Sequence, residues 1–136
     1  MSERVLVLSV AAAAALLILF LFRWYRSRPS PLPDRLDVSE LGLELMTGCC
    51  AFVVFVTPSC APCKAALRVV RTTAAEAPGL TEVTTVDAME RAAMATKYGV
   101  RTIPTVFLIT ASGHVVMRWM DVPEVGSTRT ALAGLR

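Results

Sequence analysis

The sequence predicts an α/β fold: a mixed central sheet flanked by helices, preceded by one membrane-spanning helix. Three observations carry this. An uninterrupted apolar run occupies residues 5–22. Beyond it, short apolar runs of strand length alternate with helix-period patterns, which implies parallel strand–helix–strand pairing. Near the C-terminus, two strand-like runs flank Ala111-Ser112-Gly113, which implies an antiparallel hairpin.

The domain plan follows. Residues 1–4 are a short tip, 5–22 the span, 23–35 an Arg- and Pro-rich linker, and 36–136 the folded domain. Within Val5 to Phe22 only Ser9 is polar. Eighteen residues of helix reach about 27 Å, close to the roughly 30 Å hydrocarbon core of a bilayer. A cleaved leader needs a small-residue site after its apolar stretch. Arg23-Trp24-Tyr25-Arg26 stands there instead. Aromatic rings suit the headgroup interface and arginines the water beyond it. A core helix of this apolarity needs a larger domain around it than 136 residues supply. The lipid bilayer is thus the expected partner of residues 5–22. Arg23, Arg26, Arg28 and Arg35 outnumber Arg4 on the other flank, which favours a single-pass protein with its domain on the cytoplasmic side.

Pro29, Pro31 and Pro33 stiffen the linker. Seven residues from Ser27 in polyproline II form extend about 22 Å. Ser39 is the expected cap of a helix through Glu40–Met46 that stops at Gly48. Ala51 to Thr57 is continuously apolar and reads as a central strand buried on both faces. A helix is expected from the cysteines to about Ala77, with Cys63, Leu67, Val70, Ala74 and Ala77 on its buried face. Pro78-Gly79 ends it. Glu82–Asp87 is a second strand, and Glu90–Tyr98 a short helix closed by Gly99. Thr105–Ile109 and His114–Met120 are the hairpin arms. In the second arm Val115, Met117 and Trp119 alternate with Val116 and Arg118. Glu124–Leu135 is a last helix.

The net charge of +3 belongs to the N-terminal segment. From Asp34 onward ten basic residues balance ten acidic ones. A nucleic-acid partner requires a basic face on the domain itself, so none is expected.

Four cysteines at 49, 50, 60 and 63 are too few and too clustered for a disulfide-stapled scaffold. Cys60-Ala61-Pro62-Cys63 follows a buried strand and opens a helix, which is a redox arrangement. A thiolate is the nucleophile in thiol–disulfide exchange. At a helix N-terminus the unpaired N–H groups and the macrodipole favour that anion. Cys60 occupies this place and is the expected nucleophile. Cys63, one turn on and more covered, is the expected resolving thiol. Pro62 fits the first turn, where no N–H is needed. Ala61 and Pro62 between the cysteines tune the site.

A second motif is Lys97-Tyr98-Gly99-Val100-Arg101-Thr102-Ile103-Pro104-Thr105. A proline is tolerated just before a strand, where its missing N–H is not used.

With these two motifs, in this order and element context, residues 36–135 resemble the thioredoxin family. The resemblance implies a thioredoxin-like fold and a redox-active Cys60–Cys63 disulfide with no bound cofactor and no metal. It implies a cis Ile103–Pro104 bond packed against the dithiol, with the Ile103 backbone pairing with a substrate strand. Isoleucine before the proline is similar to the reducing members. The implied activity is reduction of protein disulfides. Turnover then needs an electron donor, either a thiol reductant or a membrane redox partner. Three positions depart from the family pattern. Ser59 replaces the usual Trp, Ala61 the usual Gly, and Val54 the buried acid six residues before the first cysteine. Potentials in such folds span roughly 150 mV, about 7 kcal/mol for two electrons, so the oxidising direction is also within range.

Three alternatives stay open at this point. One is an extracytoplasmic oxidase or isomerase. Another is a docking module without catalysis. The least favoured is a metallochaperone that uses the dithiol. Cys49-Cys50 precedes the central strand, more than about 20 Å from Cys60 along a seven-residue strand. The two pairs should not meet in a zinc site, and both residues read as small buried side chains, with a second redox function or an acylated cysteine as the alternatives. His114 reads as solvated, and Trp119 as packing.

Overall fold

The computed structural model describes residues 2–27 and 31–135. The chain divides into two units, Met1–Pro31 and Leu32–Arg136. Arg28, Pro29 and Ser30 of the expected linker lie outside the described residues.

The first unit is one helix, α1, Ser2–Ser27. It exceeds the apolar run at both ends, because Glu3, Arg4 and Arg23 are also good helix formers. At 26 residues it is about 39 Å long. Its large apolar side chains are exposed, Leu8 at 69% and Phe20 at 64%. By length and composition α1 is a candidate membrane span. The Arg26 guanidinium sits 6.0 Å from the Phe22 ring centre near its C-terminal end.

The second unit has the order β1 (Cys50–Val56), α2 (Ala61–Ala75), β2 (Thr81–Asp87), α3 (Ala92–Lys97), β3 (Thr105–Thr110), β4 (Val115–Trp119) and α4 (Val125–Ala133). The strands form one sheet in the order β2-β1-β3-β4. β1 and β2 are parallel. β3 runs antiparallel to both β1 and β4. This is the mixed sheet the sequence predicts. Ala51 to Phe55 have no exposed surface, as a central strand covered on both faces must.

Successive residues of β1 serve opposite faces. Ala51, Val53 and Phe55 join Phe107, Ile109, Met94, Tyr98 and Leu36 on one side. Phe52 and Val54 join Val106, Leu108, Ala66, Val70 and Leu132 on the other. Phe55 meets Phe107 edge-on at 5.8 Å. On the second side α2 packs with α4, and the Thr73 and Thr128 hydroxyls, both fully buried, lie 2.7 Å apart.

Two expectations are corrected. Residues 40–46 form turns and irregular chain rather than a helix. Asp37, not Ser39, is the local organiser: its Oδ1 accepts from the Ser39 and Glu40 amides and the Ser39 hydroxyl. An Asx turn of this kind competes with helix. Gly42 at φ 69° then turns the chain away. In β4 the expected alternation is broken. The register slips between Leu108 and Ile109, so Ile109 faces Val115 while Leu108 faces Met117. A bulge adds one residue and moves everything beyond it to the other face. Val115 therefore packs with Leu36 and Ile109, while Trp119 packs with Phe52.

The chain enters the second unit beside the β3–β4 turn. The Leu36 amide donates to Gly113 O at 2.8 Å, and the Val115 amide to Asp34 O at 3.0 Å. Gly113 has φ 81°, and a Cβ there would lie 2.1 Å from the Leu36 carbonyl oxygen. Only glycine meets both conditions.

Candidate active site

β1 ends at Val56, and a turn through Thr57-Pro58-Ser59 carries the chain to Cys60. The Cys60 amide donates back to Thr57 O at 3.2 Å. Cys60 is the N-cap of α2, with extended backbone at φ −86°, ψ 104°. Its Sγ accepts from the Cys63 amide at 3.1 Å. That amide is one of the donors a helix start leaves without an intrahelical partner. The sulfur therefore sits where a negative charge is favoured. Pro62 lies in the first turn.

The two sulfurs are joined in a disulfide, with the Cα atoms 5.3 Å apart. Cys60 is partly exposed and Cys63 only 3% exposed. Ala61 and Pro62 are both exposed beside them. The outer sulfur can be reached by another protein; the inner one can be reached mainly through the outer.

β3 brings the second motif to the same end of the sheet. Thr105, its first residue, stands opposite Phe55, one position short of the end of β1. Pro104 therefore lies level with the segment leading to Cys60. It is buried, and the Ile103–Pro104 bond is cis. Ile103 is partly buried against the first core cluster. Two threonines fix this segment, and the sequence reading does not single them out. Thr105 Oγ1 donates to Thr102 O at 2.6 Å, and Thr102 Oγ1 donates to Met120 O at 3.2 Å. The signal is present as Thr102-Ile103-Pro104-Thr105, a hydroxyl on each side of the Ile-Pro pair.

A polar clasp behind this motif is also absent from the sequence reading. The buried Tyr98 hydroxyl accepts from the Asp37 amide at 2.9 Å and donates to Glu40 Oε2 at 3.0 Å. Lys97 Nζ reaches the same Glu40 oxygen at 2.7 Å. The hydrogen bond from Lys97, then that from Tyr98, holds the Glu40 carboxyl below its ordinary range, and Glu40 in turn raises Lys97. The Ser39 hydroxyl is the main cause that lowers Asp37.

Val54 has no exposed surface and packs in the second core cluster. Cys49 and Cys50 stand at the start of β1, at the end of the sheet away from Cys60. Cys50 is buried as expected; Cys49 is partly exposed, which corrects the sequence reading. Among the described residues no group of three or more His, Cys, Asp or Glu could hold a metal ion. His114 is exposed. Trp119 packs on Phe52 and donates from Nε1 to the Ser127 hydroxyl at 2.9 Å.

The family model described as thioredoxin matches residues 46–124. The chain belongs to the thioredoxin family. Solved thioredoxins are similar in fold. Thioredoxin from Fasciola hepatica is 26% identical with a TM-score of 0.54, over 71% of this chain and 86% of that one. A single-substitution mutant of thioredoxin from Halobacterium salinarum NRC-1 is 22% identical with a TM-score of 0.60, over 78% and 95%. Thioredoxin-2, a component of the malaria parasite protein secretion machinery, is 15% identical with a TM-score of 0.59, over 65% and 85%. No curated protein matches the sequence. A thioredoxin domain with Cys60 and Cys63 joined at the start of α2 places the chain, in class, among thiol–disulfide oxidoreductases.

Proposed function

We propose that this thioredoxin reduces protein disulfides while anchored to a membrane by α1. The observation that carries the reading is the unequal exposure of the two sulfurs at one helix N-terminus. In the reduced protein the Cys60 thiolate attacks one sulfur of a substrate disulfide. A Cys60–substrate bond forms, the substrate S–S bond breaks, and the leaving thiolate takes up a proton. Cys63 then loses its proton and attacks Cys60 Sγ, which releases the second substrate thiol. Two electrons pass from the dithiol to the substrate, and the Cys60–Cys63 disulfide remains. An external dithiol, a thiol reductant or a membrane redox partner, must return it to the reduced form.

The Ile103 backbone is the proposed docking edge for the substrate chain, beside the dithiol at the same end of the sheet. Ala61 and Pro62 tune the site by shaping the exposed turn between the sulfurs. The arginines after the apolar run favour a cytoplasmic domain.

Replacing Cys63 by Ser tests the mechanism. The variant should accumulate mixed disulfides through Cys60 in cells, and their identity reports substrate and compartment together. Equal capture by Cys60→Ser would sink the catalytic roles. An impermeant thiol reagent that labels reduced Cys60 in intact cells would overturn the cytoplasmic placement and favour an oxidising role outside.

A further inference from the structure

Cys49 and Cys50 take no part in the exchange chemistry, yet they are not simply packed away. Both line a cavity of about 450 Å³ at the end of the sheet opposite the dithiol. That volume falls within the roughly 300–1,000 Å³ of ordinary small-molecule sites. Leu45, Leu80, Leu132 and Leu135 supply its apolar lining, with hydroxyls from Thr47, Thr81, Thr110 and Ser112. Among the described residues, none that lines it carries a charge.

The two thiols differ. Cys50 is 6% exposed, and its Sγ lies 3.5 Å from Thr81 Oγ1 and 3.6 Å from Leu80 O. Cys49 is partly exposed and makes one long contact, Sγ to Gly79 O at 3.7 Å. Cys49 is thus the accessible thiol of an uncharged, leucine-lined cavity.

We propose that Cys49 is an S-acylation site and that the cavity holds the attached aliphatic chain. The thiolate of Cys49 attacks the carbonyl carbon of a long-chain acyl-coenzyme A thioester. A new C–S bond forms and the bond to coenzyme A breaks. Coenzyme A leaves as the thiol with the proton that Cys49 gave up, so no oxidant or reductant is consumed. The uncharged lining decides between occupants. A glutathione-like thiol carries carboxylates, and no described lining residue is a cation to meet them. An aliphatic chain meets leucines, Ala111 and uncharged polar side chains. The position also suits the chemistry. Ala111 and Ser112 of the lining belong to the turn that receives the chain at Asp34 to Leu36. Seven residue steps lead from Ser27 of α1 to Asp34, a reach of at most about 25 Å. Acyl donors at a bilayer are then within the tether's range. Only this supply argument rests on the anchored reading, and the test below uses a soluble donor.

The experiment takes the full chain in detergent with Cys60 and Cys63 oxidised. It is incubated with palmitoyl-coenzyme A, acetyl-coenzyme A or glutathione disulfide and read by intact mass and peptide mapping. The expected result is one palmitoyl group on Cys49, removed by hydroxylamine and lost in Cys49→Ser. Its rate should exceed that in urea-unfolded chain by about tenfold or more if the apolar cavity contributes binding. Leu80→Glu, at a half-exposed position, should lower the folded rate by a similar factor by placing a charge beside the chain. Equal rates in folded and unfolded chain would overturn the proposal. So would acylation at Cys50, equal transfer from the acetyl donor, preferential addition of glutathione, or no addition. None of these outcomes bears on the Cys63→Ser trap.

Discussion

Phe55 on β1 stands directly opposite Thr105 on β3. That pairing ties the two sequence motifs together, since Thr105 follows the cis proline and Phe55 precedes the turn to Cys60 by only a few residues. Any slip in this register would carry Pro104 away from the dithiol end. The register is held by buried residues on both strands, Val53 and Phe55 against Phe107 and Thr105.

Val54→Asp asks what an introduced acid costs in this core. The carboxyl would replace a fully buried methyl pair in the second cluster. Burial raises its folded pKa above the ordinary 3.9, so the penalty is absent at low pH and appears as pH rises through the unfolded value. Urea unfolding at pH 7 should show a loss of roughly 2–4 kcal/mol, shrinking toward pH 4. A pH-independent loss would mean that the carboxyl is not buried as a charge.

The Thr73–Thr128 hydroxyl pair should couple α2 to α4. Each hydroxyl also donates to or contacts backbone of its own helix, at Val69 O and Val125 O. Thr73→Val or Thr128→Val should each cost about 1 kcal/mol in chemical denaturation. The double variant should cost less than the sum, because no hydroxyl is then left facing a methyl. Strict additivity would show that the 2.7 Å contact contributes nothing of its own.

Gly113→Ala should loosen the entry of the chain. The new methyl meets the Leu36 carbonyl and sits at positive φ. A stability loss of about 1–3 kcal/mol is expected. Amide exchange at Leu36 and Val115 should speed up more than exchange in β1. Uniform acceleration would point to global unfolding instead.

The Asp37–Glu40–Tyr98–Lys97 clasp gives a pH signature. Asp37 and Glu40 have folded pKa values lowered below 3.8 and 4.5, so their contribution is complete above those values and fades as pH falls through the lowered ones. Lys97 is raised above 10.5, so its contribution holds below that pH and fades as pH rises through the raised value. Chemical shifts of the Ser39 and Glu40 amides should stay flat between these limits and move outside them. Both ends of the clasp are exposed, so high salt should blunt the effect. A transition near neutral pH would contradict the assignment.

Much of this fold is written locally. A run of buried apolar residues announces β1, and Pro78-Gly79 and Gly99 mark where α2 and α3 give out. The dithiol is readable because Cys60, Pro62 and Cys63 fall within a single helical turn. Features that depend on distant partners are not readable. The β4 bulge needs β3 alongside it to exist. Thr73 and Thr128 are 55 positions apart, and neither looks unusual alone. The turn at 37–42 misleads because a helix pattern starting at Ser39 competes with an Asp37 side chain that captures the same amides first. Cys49 reads as buried from sequence because its exposure depends on how the neighbouring turns leave the cavity open.

The clip at Asp34–Leu36 has a mechanical consequence. Tension applied along the N-terminal segment enters the domain at Gly113 and Val115, through two backbone hydrogen bonds and the buried Leu36 side chain. That grip lies at the opposite end of the sheet from Cys60. Such a pull would therefore peel at the hairpin turn first, and Cys60 would feel it last.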